Sequence, residues 1–246
     1  MNQNALITGA SRRIGRSMSM HLASRGWNII IHFNDSSVQA FSLAKELTDQ
    51  YPKQVFKAVR ANLSRPEEVG NMIFSGIHEL GNIDLLINNA SVFGAGYVAE
   101  TSMELLDSQF DVNFKAPFIL MRDFKNYCKK GNIVNIVDTR ITTNKSDFAA
   151  YSLSKKVLWE FTKMAALEFA PEIRVNAIAP GVTMAPAGQD ENYLERLARH
   201  IPMKKPGGME PVLRSLDFIL ENSHLTGQLL FADGGENLGI NKSDNQ

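Results

Sequence analysis

Tyr151 and Lys155 stand four residues apart in a segment of helix-forming composition, so both side chains are expected on one face of a helix. A phenol is a weak acid–base group at neutral pH, and a neighbouring ammonium lowers its pKa by stabilising the phenolate. The pair therefore predicts proton transfer, and the lysine could also hold a ribose. Because the same spacing occurs in ordinary exposed helices, the interpretation depends on the surrounding residues.

Polar residues and glycine stand where apolar, strand-like runs end. The segment 88–91 (Asn-Asn-Ala-Ser) closes one run, Asp138 closes the next, and the Pro-Gly pair at 180–181 closes a third, while Asn113 lies in a long helical stretch. Each asparagine alone would be a cap or turn residue. The carboxyl ends of parallel strands, however, meet at one edge of an open α/β sheet, where such sheets bind ligands. The sequence therefore predicts one site around Tyr151.

A glycine-containing turn follows the first apolar run. The segment 8–15 reads Thr-Gly-Ala-Ser-Arg-Arg-Ile-Gly. Glycine lets the backbone approach a pyrophosphate, and the N-terminus of the following helix offers free N–H groups and the positive end of its dipole. Arg12 and Arg13 supply guanidinium groups that suit phosphate. The turn predicts dinucleotide binding, with an ordinary tight turn and a solvated arginine pair as the alternatives.

The end of the second apolar run predicts which dinucleotide is bound. Sites that prefer NAD usually place an acid at this strand tip to hold the ribose 2′-hydroxyl. Here the tip is Phe33-Asn34, with His32 before it and Arg12 expected nearby, which favours NADPH. Asp35 follows at once and argues for NAD, since an inward carboxylate would repel a 2′-phosphate.

These residues require an alternation of strands and helices. Apolar runs at 5–8, 28–33, 55–59, 83–88, 133–137, 173–179 and 228–231 predict strands, and helical spacing is expected at 14–24, 36–51, 66–80, 103–129, 151–169 and 211–222. This alternation predicts an α/β fold: a single-domain, Rossmann-type, doubly wound parallel sheet over residues 1–246, with helices on both faces. The segment 183–208, which contains Pro186, Pro202 and Pro206, interrupts the alternation and is expected to be a lid over the substrate.

Composition excludes several classes. Lys and Arg together number 26, as do Asp and Glu, so no net field favours nucleic acid or an anionic membrane. No apolar run is long enough to span a bilayer, and the N-terminus does not resemble a signal peptide. Cys128 is the single cysteine, which we interpret as a spectator thiol, and no metal-spaced cluster is present. We expect a cytoplasmic protein with neither metal, nucleic-acid nor membrane partner.

Taken together, these motifs resemble the short-chain dehydrogenase/reductase family. The likeness runs from Thr8-Gly9 to the segments 225–228 and 233–235 near the end of the chain. It implies a catalytic group of Asn113, Asp138, Tyr151 and Lys155. It implies nicotinamide-dinucleotide binding by Gly9, Ser11, Arg12, Arg13, Ile14, His32, Asn34, Asn62, Leu63, Asn89, Ala90, Ser91, Tyr151, Lys155, Pro180, Gly181 and Thr183.

Three departures from the family pattern narrow the expectation. Arg13 replaces a usual glycine, Asn62 an aspartate that contacts adenine, and Asp138 a serine that holds the substrate carbonyl. Three features together resemble the pteridine reductases and the bacterial dihydromonapterin reductases. They are an arginine in the turn, the segment Asn-Ala-Ser-x-Phe after the fourth predicted strand, and an aspartate at position 138. That branch implies a pterin held by Arg13, Ser91, Phe93 and Tyr151. Phe93 would stack on the heterocycle, with a core or lid aromatic as the alternative.

Three functions follow as hypotheses. The first is NADPH-dependent reduction of a dihydropterin or dihydrofolate C=N bond, with proton supply by Tyr151 and Asp138. The second keeps the fold but reduces a ketone, an acyl thioester or a sugar, and Asp138 disfavours it because a carboxylate repels a carbonyl oxygen gaining charge. The third is a non-catalytic protein of the same fold, a dinucleotide sensor or a scaffold. The resemblance also implies a homotetramer, paired through the helices at 103–129 and 151–169 and through the C-terminal region.

Overall fold

Seven parallel strands form one sheet in the computed structural model, which describes residues 3–185, 188–190 and 192–239. The strands are β1 (Asn4–Ile7), β2 (Asn28–Phe33), β3 (Phe56–Arg60), β4 (Leu85–Asn88), β5 (Gly131–Ile136), β6 (Ile173–Pro180) and β7 (Leu229–Ala232). Their order is β3-β2-β1-β4-β5-β6-β7. The chain adds strands toward one edge of the sheet from β1 to β3 and toward the other edge from β4 to β7, so the switch point lies between β1 and β4. The predicted doubly wound parallel sheet is therefore confirmed.

Helices cover both faces of the sheet. They are α1 (Arg13–Ser24), α2 (Ser37–Gln50), α3 (Pro66–Gly70), α4 (Met72–Leu80), α5 (Met103–Phe110), α6 (Ala116–Cys128), α7 (Ala149–Phe169), α8 (Tyr193–Ala198) and α9 (Glu210–Glu221). Among the helices of the described chain, none combines the length and apolar content that crossing a bilayer requires.

Alternating residues of β1 show how the core is divided. Ile7 belongs to a buried cluster with apolar residues of α1, α2 and α9, such as Leu22 and Leu216. Leu6 points to the opposite face, into a cluster with residues of α4 and α6 such as Phe124. Because both faces of each central strand are buried, the strands read as continuous apolar runs and not as alternating ones.

Two predicted helices are interrupted. The helix expected at 66–80 divides at Asn71 into α3 and α4. The one expected at 103–129 contains a π-helical turn, Asp111–Lys115, between α5 and α6. Such turns are often found at functional sites, and this one carries Asn113. The expected lid at 183–208 contains the short helix α8, whereas Pro186 lies outside the described residues.

Candidate active site

The turn after β1 forms a close backbone cradle. Gly9 has φ +61°, a left-handed conformation that favours glycine. A Cβ on Gly15 would lie 2.2 Å from the Gly9 carbonyl oxygen and 2.6 Å from the Asn89 amide nitrogen. Helix α1 begins here, and the side chain of Arg12 does not cap it. The first N–H groups of α1 are thus directed at the space that the glycines leave open.

His32 supports this turn from below. Its Nδ1 accepts a hydrogen bond from the Gly9 N–H at 3.0 Å, and its Nε2 lies 3.0 Å from the Ala61 carbonyl oxygen. Burial lowers the pKa of His32 to about 4, so the ring is neutral and Nε2 carries the proton. The sequence predicts that His32 contacts the cofactor. The structure leaves neither ring nitrogen to a ligand, and we assign His32 to the support of the turn.

A second tie joins the turn to the end of β4. The Asn89 side-chain amide donates to the Thr8 carbonyl oxygen at 2.8 Å and to that of Gly9 at 3.2 Å. In return, the Thr8 hydroxyl oxygen accepts from the backbone N–H groups of Asn89 and Ala90. These contacts place the predicted residues of two strand ends on one wall.

An elongated cavity of about 440 Å³ extends from the turn over the ends of β2 and β3. Its lining contains predicted cofactor residues, namely Gly9, Arg12, Arg13, Ile14, His32, Asn34, Asn62, Leu63, Asn89, Ala90 and Ser91. Ser11 lies just behind and pairs with Ser36 at 2.6 Å. Asp35 also lines the cavity, and its carboxylate accepts from the Asn34 amide at 3.0 Å.

Asn113 is fully buried at the π-helical turn and organises the loop after β4. Its Oδ1 accepts from the backbone N–H of Val92 at 2.9 Å and from the Ser91 hydroxyl at 3.1 Å. Its amide donates to the Val92 carbonyl oxygen at 3.0 Å and to the Ser154 hydroxyl of α7 at 3.1 Å. Asn113 therefore connects the loop that carries Ser91 to the helix that carries Tyr151.

Asp138 and Tyr151 are in direct contact. The phenol donates to Asp138 Oδ2 at 2.7 Å, and Asp138 Oδ1 accepts from the Arg140 backbone N–H at 2.8 Å. Burial, followed by the charge and hydrogen bond of Asp138, raises the pKa of Tyr151 well above its ordinary value. The phenol accordingly holds its proton at physiological pH, as expected for a proton donor.

Lys155 lies one helical turn after Tyr151 and is almost entirely buried. Its Nζ donates to the Ile136 carbonyl oxygen at 2.9 Å and lies 5.9 Å from the centre of the Tyr151 ring. Burial lowers the pKa of Lys155 to about 8, although the charge of Asp138 acts in the opposite direction. Asp138, Tyr151 and Lys155 therefore meet at the carboxyl end of β5, as predicted.

Three aromatic rings form one wall of the site. Phe93, 59% exposed, stacks on Phe148 at a centroid distance of 4.2 Å and meets the Tyr151 ring edge-on at 4.6 Å. Behind them, Arg140 forms two hydrogen bonds to the Asp147 carboxylate and lies 4.6 Å from the Phe148 ring centre. The open face of Phe93 suits a flat heterocycle.

Arg13 links the two halves of the cleft. It has φ +50°, in the left-handed region that residues other than glycine seldom occupy. Its guanidinium donates to the carbonyl oxygens of Met184 and Ala185 at 3.0 and 2.8 Å. The arginine thus ties the glycine turn to the start of the predicted lid.

These groups surround a second cavity of about 350 Å³, adjacent to the first. Predicted residues in its lining are Arg13, Ile14, Asn89, Ser91, Phe93, Asp138, Tyr151, Lys155, Pro180, Gly181 and Thr183. Tyr193, Leu194 and Leu197, which belong to α8 within the predicted lid, also line it.

Sequence reasoning did not identify Arg140, Phe148 or Glu236, which are part of this site. Arg140 and Glu236 line the cavity, and Phe148 supports the ring of Phe93. Arg140 lies two residues after Asp138, so proximity along the chain was its one available signal. Glu236 follows the Asp-Gly-Gly segment at 233–235, and nothing in that segment indicates that the next residue reaches the site.

The residues from 3 to 195 match the family described as short chain dehydrogenase, and the chain belongs to that family. Among solved structures it is similar to FolM alternative dihydrofolate reductase 1 from Brucella canis, complexed with NADP. That structure is 34% identical, has a TM-score of 0.90 and covers 99% of this chain and 98% of its own. The Brucella suis protein, also with NADP, is 34% identical with a TM-score of 0.92 and the same coverage.

The chain is also similar to 3-oxoacyl-[acyl-carrier-protein] reductases. The 3-oxoacyl-[acyl-carrier-protein] reductase FabG of Staphylococcus epidermidis is 28% identical and covers 96% of this chain and 99% of its own. The FabG of Staphylococcus aureus strain Mu50 is 29% identical over 96% and 98% of the two chains.

Proposed function

We propose that this protein is an NADPH-dependent reductase of a dihydropterin or dihydrofolate ring. The observation that carries the proposal is the 2.7 Å contact between the Tyr151 phenol and Asp138, beside the open face of Phe93. A carbonyl reductase needs a neutral donor where Asp138 stands, because a carboxylate repels an oxygen that gains charge. A pterin C=N bond takes its proton on nitrogen and has no such oxygen at the reacting position.

The chain's residues fit a nicotinamide dinucleotide. Gly9 and Gly15 form a cradle that a Cβ would fill, next to the open N-terminus of α1. Arg12 and Asn34 line the cavity at the ribose end and favour a 2′-phosphate. The Asp35 carboxylate, which would oppose one, is engaged by the Asn34 amide. The complexes of the two Brucella proteins with NADP support the same cofactor. NAD remains the less favoured alternative.

When bound, NADPH supplies the hydride for the ring carbon. Tyr151 supplies the proton that the ring nitrogen takes, because its phenol stays protonated. Asp138, which accepts from that phenol, then passes a proton taken from solvent back to the phenolate oxygen. Lys155 would hold the nicotinamide ribose, and Asn113 fixes the loop that carries Ser91 and Phe93. Arg13 and Ser91 would bind the substrate edge, and Pro180, Gly181 and Thr183 would flank the nicotinamide, since all five line the cavity.

We further propose a single domain with a lid at 183–208, assembled as a homotetramer. Support for the lid comes from α8, whose side chains line the cavity. Support for assembly comes from exposed apolar residues on α6 and α7, namely Phe118, Met164 and Leu167. A sedimentation experiment that gives a monomer would contradict the tetramer.

The second candidate is reduction of a 3-oxoacyl thioester, which the FabG relatives favour. One experiment separates the two: NADPH oxidation at about 340 nm with dihydrobiopterin, dihydromonapterin, dihydrofolate, an acetoacetyl thioester and simple ketones, each repeated with NADH. Turnover of the pterins with NADPH supports the proposal. Turnover of the thioester alone contradicts it.

A further inference from the structure

Glu236 has no assigned role, yet it lines the proposed substrate cavity together with Asp138 and Phe93. It begins the 3-10 turn Glu236–Leu238 that follows β7, and its side chain is half-buried. Within the described residues, no hydrogen bond or ion pair reaches its carboxylate. A half-buried carboxylate without a partner is costly, and its place in the cavity lining leaves it open to the donor groups of a ligand.

The backbone around Glu236 is held in place. The Asp233 carboxylate, itself buried, accepts from the backbone N–H groups of Gly235 at 2.9 Å and Asn237 at 2.8 Å. The Thr142 hydroxyl donates to the Asn237 carbonyl oxygen at 3.1 Å and so ties the turn to the segment after Asp138. Glu236 is therefore presented to the cavity by a fixed turn.

The charged side chains of Asp138 and Arg140, which lie near Glu236, already have partners. Both oxygens of Asp138 accept hydrogen bonds, and the Arg140 guanidinium is paired with Asp147. Burial and the charges of Asp138 and Asp233 raise the pKa of Glu236, whereas Lys145 and Arg140 lower it. These two cations lie beyond ion-pair distance of Glu236. Its carboxylate is thus an acceptor in this cavity that a ligand can use.

We infer that Glu236 is a specificity-determining residue that accepts hydrogen bonds from hydroxyl groups on the ring substituent of the substrate and disfavours an anionic substituent. The inference rests on the proposed pterin site, because Phe93 would stack on the pterin ring and Glu236 would contact the substituent of that ring. A short polyhydroxyalkyl chain supplies the donors. A substituent that ends in carboxylates is repelled.

Binding without turnover tests this directly. Isothermal titration calorimetry on the protein saturated with NADP+ compares neopterin, whose substituent is a polyol, with folate, whose substituent is a dianion. We expect the wild type to prefer neopterin and Glu236→Gln to reduce that preference about tenfold, mainly by binding folate more tightly. Glu236→Ala, which also loses the acceptor, should in addition weaken neopterin binding. The control Glu210→Gln removes the same charge from the exposed start of α9 and should change nothing.

Each outcome has one meaning. An equal preference in the wild type and in Glu236→Gln contradicts the role of Glu236, as does a wild type that prefers folate. If the variants behave as expected but the dihydro forms are not reduced by NADPH, the role of Glu236 is supported and the proposed reaction is wrong. Failure of the wild type to bind either pterin contradicts both.

Discussion

The Tyr151 phenol lies 2.7 Å from Asp138 Oδ2, and it donates to a carboxylate where the family pattern has serine. This contact gives the phenol a neighbour that keeps its proton in place. It also provides a route by which a spent proton can be replaced. If the two residues act as one unit, their effects on turnover cannot be additive.

We therefore expect Asp138→Ala to lower kcat for dihydropterin reduction about a hundredfold or more while the NADPH dissociation constant stays unchanged. Tyr151→Phe should lose at least as much. The double variant should lose no more than Tyr151→Phe alone, because the relay is already broken. Single-turnover kinetics and cofactor fluorescence titrations measure the two quantities. An unchanged rate in Asp138→Ala would refute the relay, as would additive losses.

The lowered pKa of Lys155 makes the stability of the protein depend on pH. Its pKa in the folded protein is about 8, below the ordinary lysine value of 10.5. Between these values the unfolded chain binds more protons than the folded one, so the contribution of Lys155 to stability rises with pH and is lost as pH falls through about 8. Without cofactor, Lys155→Met should thus gain stability relative to wild type at pH 7.

At pH 10 that advantage should be smaller by roughly 2 kcal/mol, because the lysine of the folded protein is then neutral and no longer a buried charge. Urea unfolding at both pH values measures the difference. Lys163→Met removes a charge from the surface of the same helix, where Lys163 pairs with Glu160, and controls for net charge. If the free energies of unfolding of wild type and Lys155→Met differ by the same amount at both pH values, burial does not lower the pKa of Lys155.

Much of this arrangement could be predicted from the sequence, for a definite reason. Buried parallel strands are continuous apolar runs, and residues that follow them must meet at one edge of the sheet. Asp138 and Gly181 were placed in this way. For Tyr151 and Lys155, a spacing of four residues in one helix is enough to predict that their side chains lie on the same face. The position of Asn113 was correct, but its π-helical turn was not predicted, because the same helix-forming residues suit either geometry.

Contacts between distant segments could not be predicted. Phe148 stacks on Phe93 because the Gly96 N–H donates to the Asp147 carbonyl oxygen and the Ala149 N–H donates to that of Gly96. No local pattern indicates that pairing. His32 sits at a strand tip like a cofactor ligand, and only the bonds to Gly9 and Ala61 show that its ring supports the turn.

Arg140 pairs with Asp147 and lies over the ring of Phe148. A substitution at Arg140 should therefore affect substrate binding through the stack of Phe148 on Phe93. Lysine keeps the charge but cannot form the two-pronged contact. We expect Arg140→Lys to raise KM for the pterin up to about tenfold through a looser Phe93–Phe148 stack, with a smaller change in kcat. Asp147→Asn should produce a similar change, and the double variant should add little. A loss confined to kcat would place Arg140 in the chemistry instead.

The glycine cradle offers a matched pair of variants. At Gly15 a Cβ would lie 2.2 Å from the Gly9 carbonyl oxygen, whereas at Gly70, the last residue of α3, it would meet nothing within 4 Å. We expect Gly15→Ala to lower the free energy of unfolding by about 1–3 kcal/mol through overpacking, and to weaken NADPH binding because the turn must shift.

Gly70→Ala should be neutral or stabilise the protein by up to about 1 kcal/mol, since alanine is the better helix former, and should leave NADPH binding unchanged. Urea unfolding and fluorescence titration measure the two effects on each variant. Because the substitutions are chemically identical, any difference between them reports the surroundings of the glycine. Equal cofactor affinities in the two variants would mean that the close approach of Gly15 to Gly9 and Asn89 does not shape the dinucleotide site.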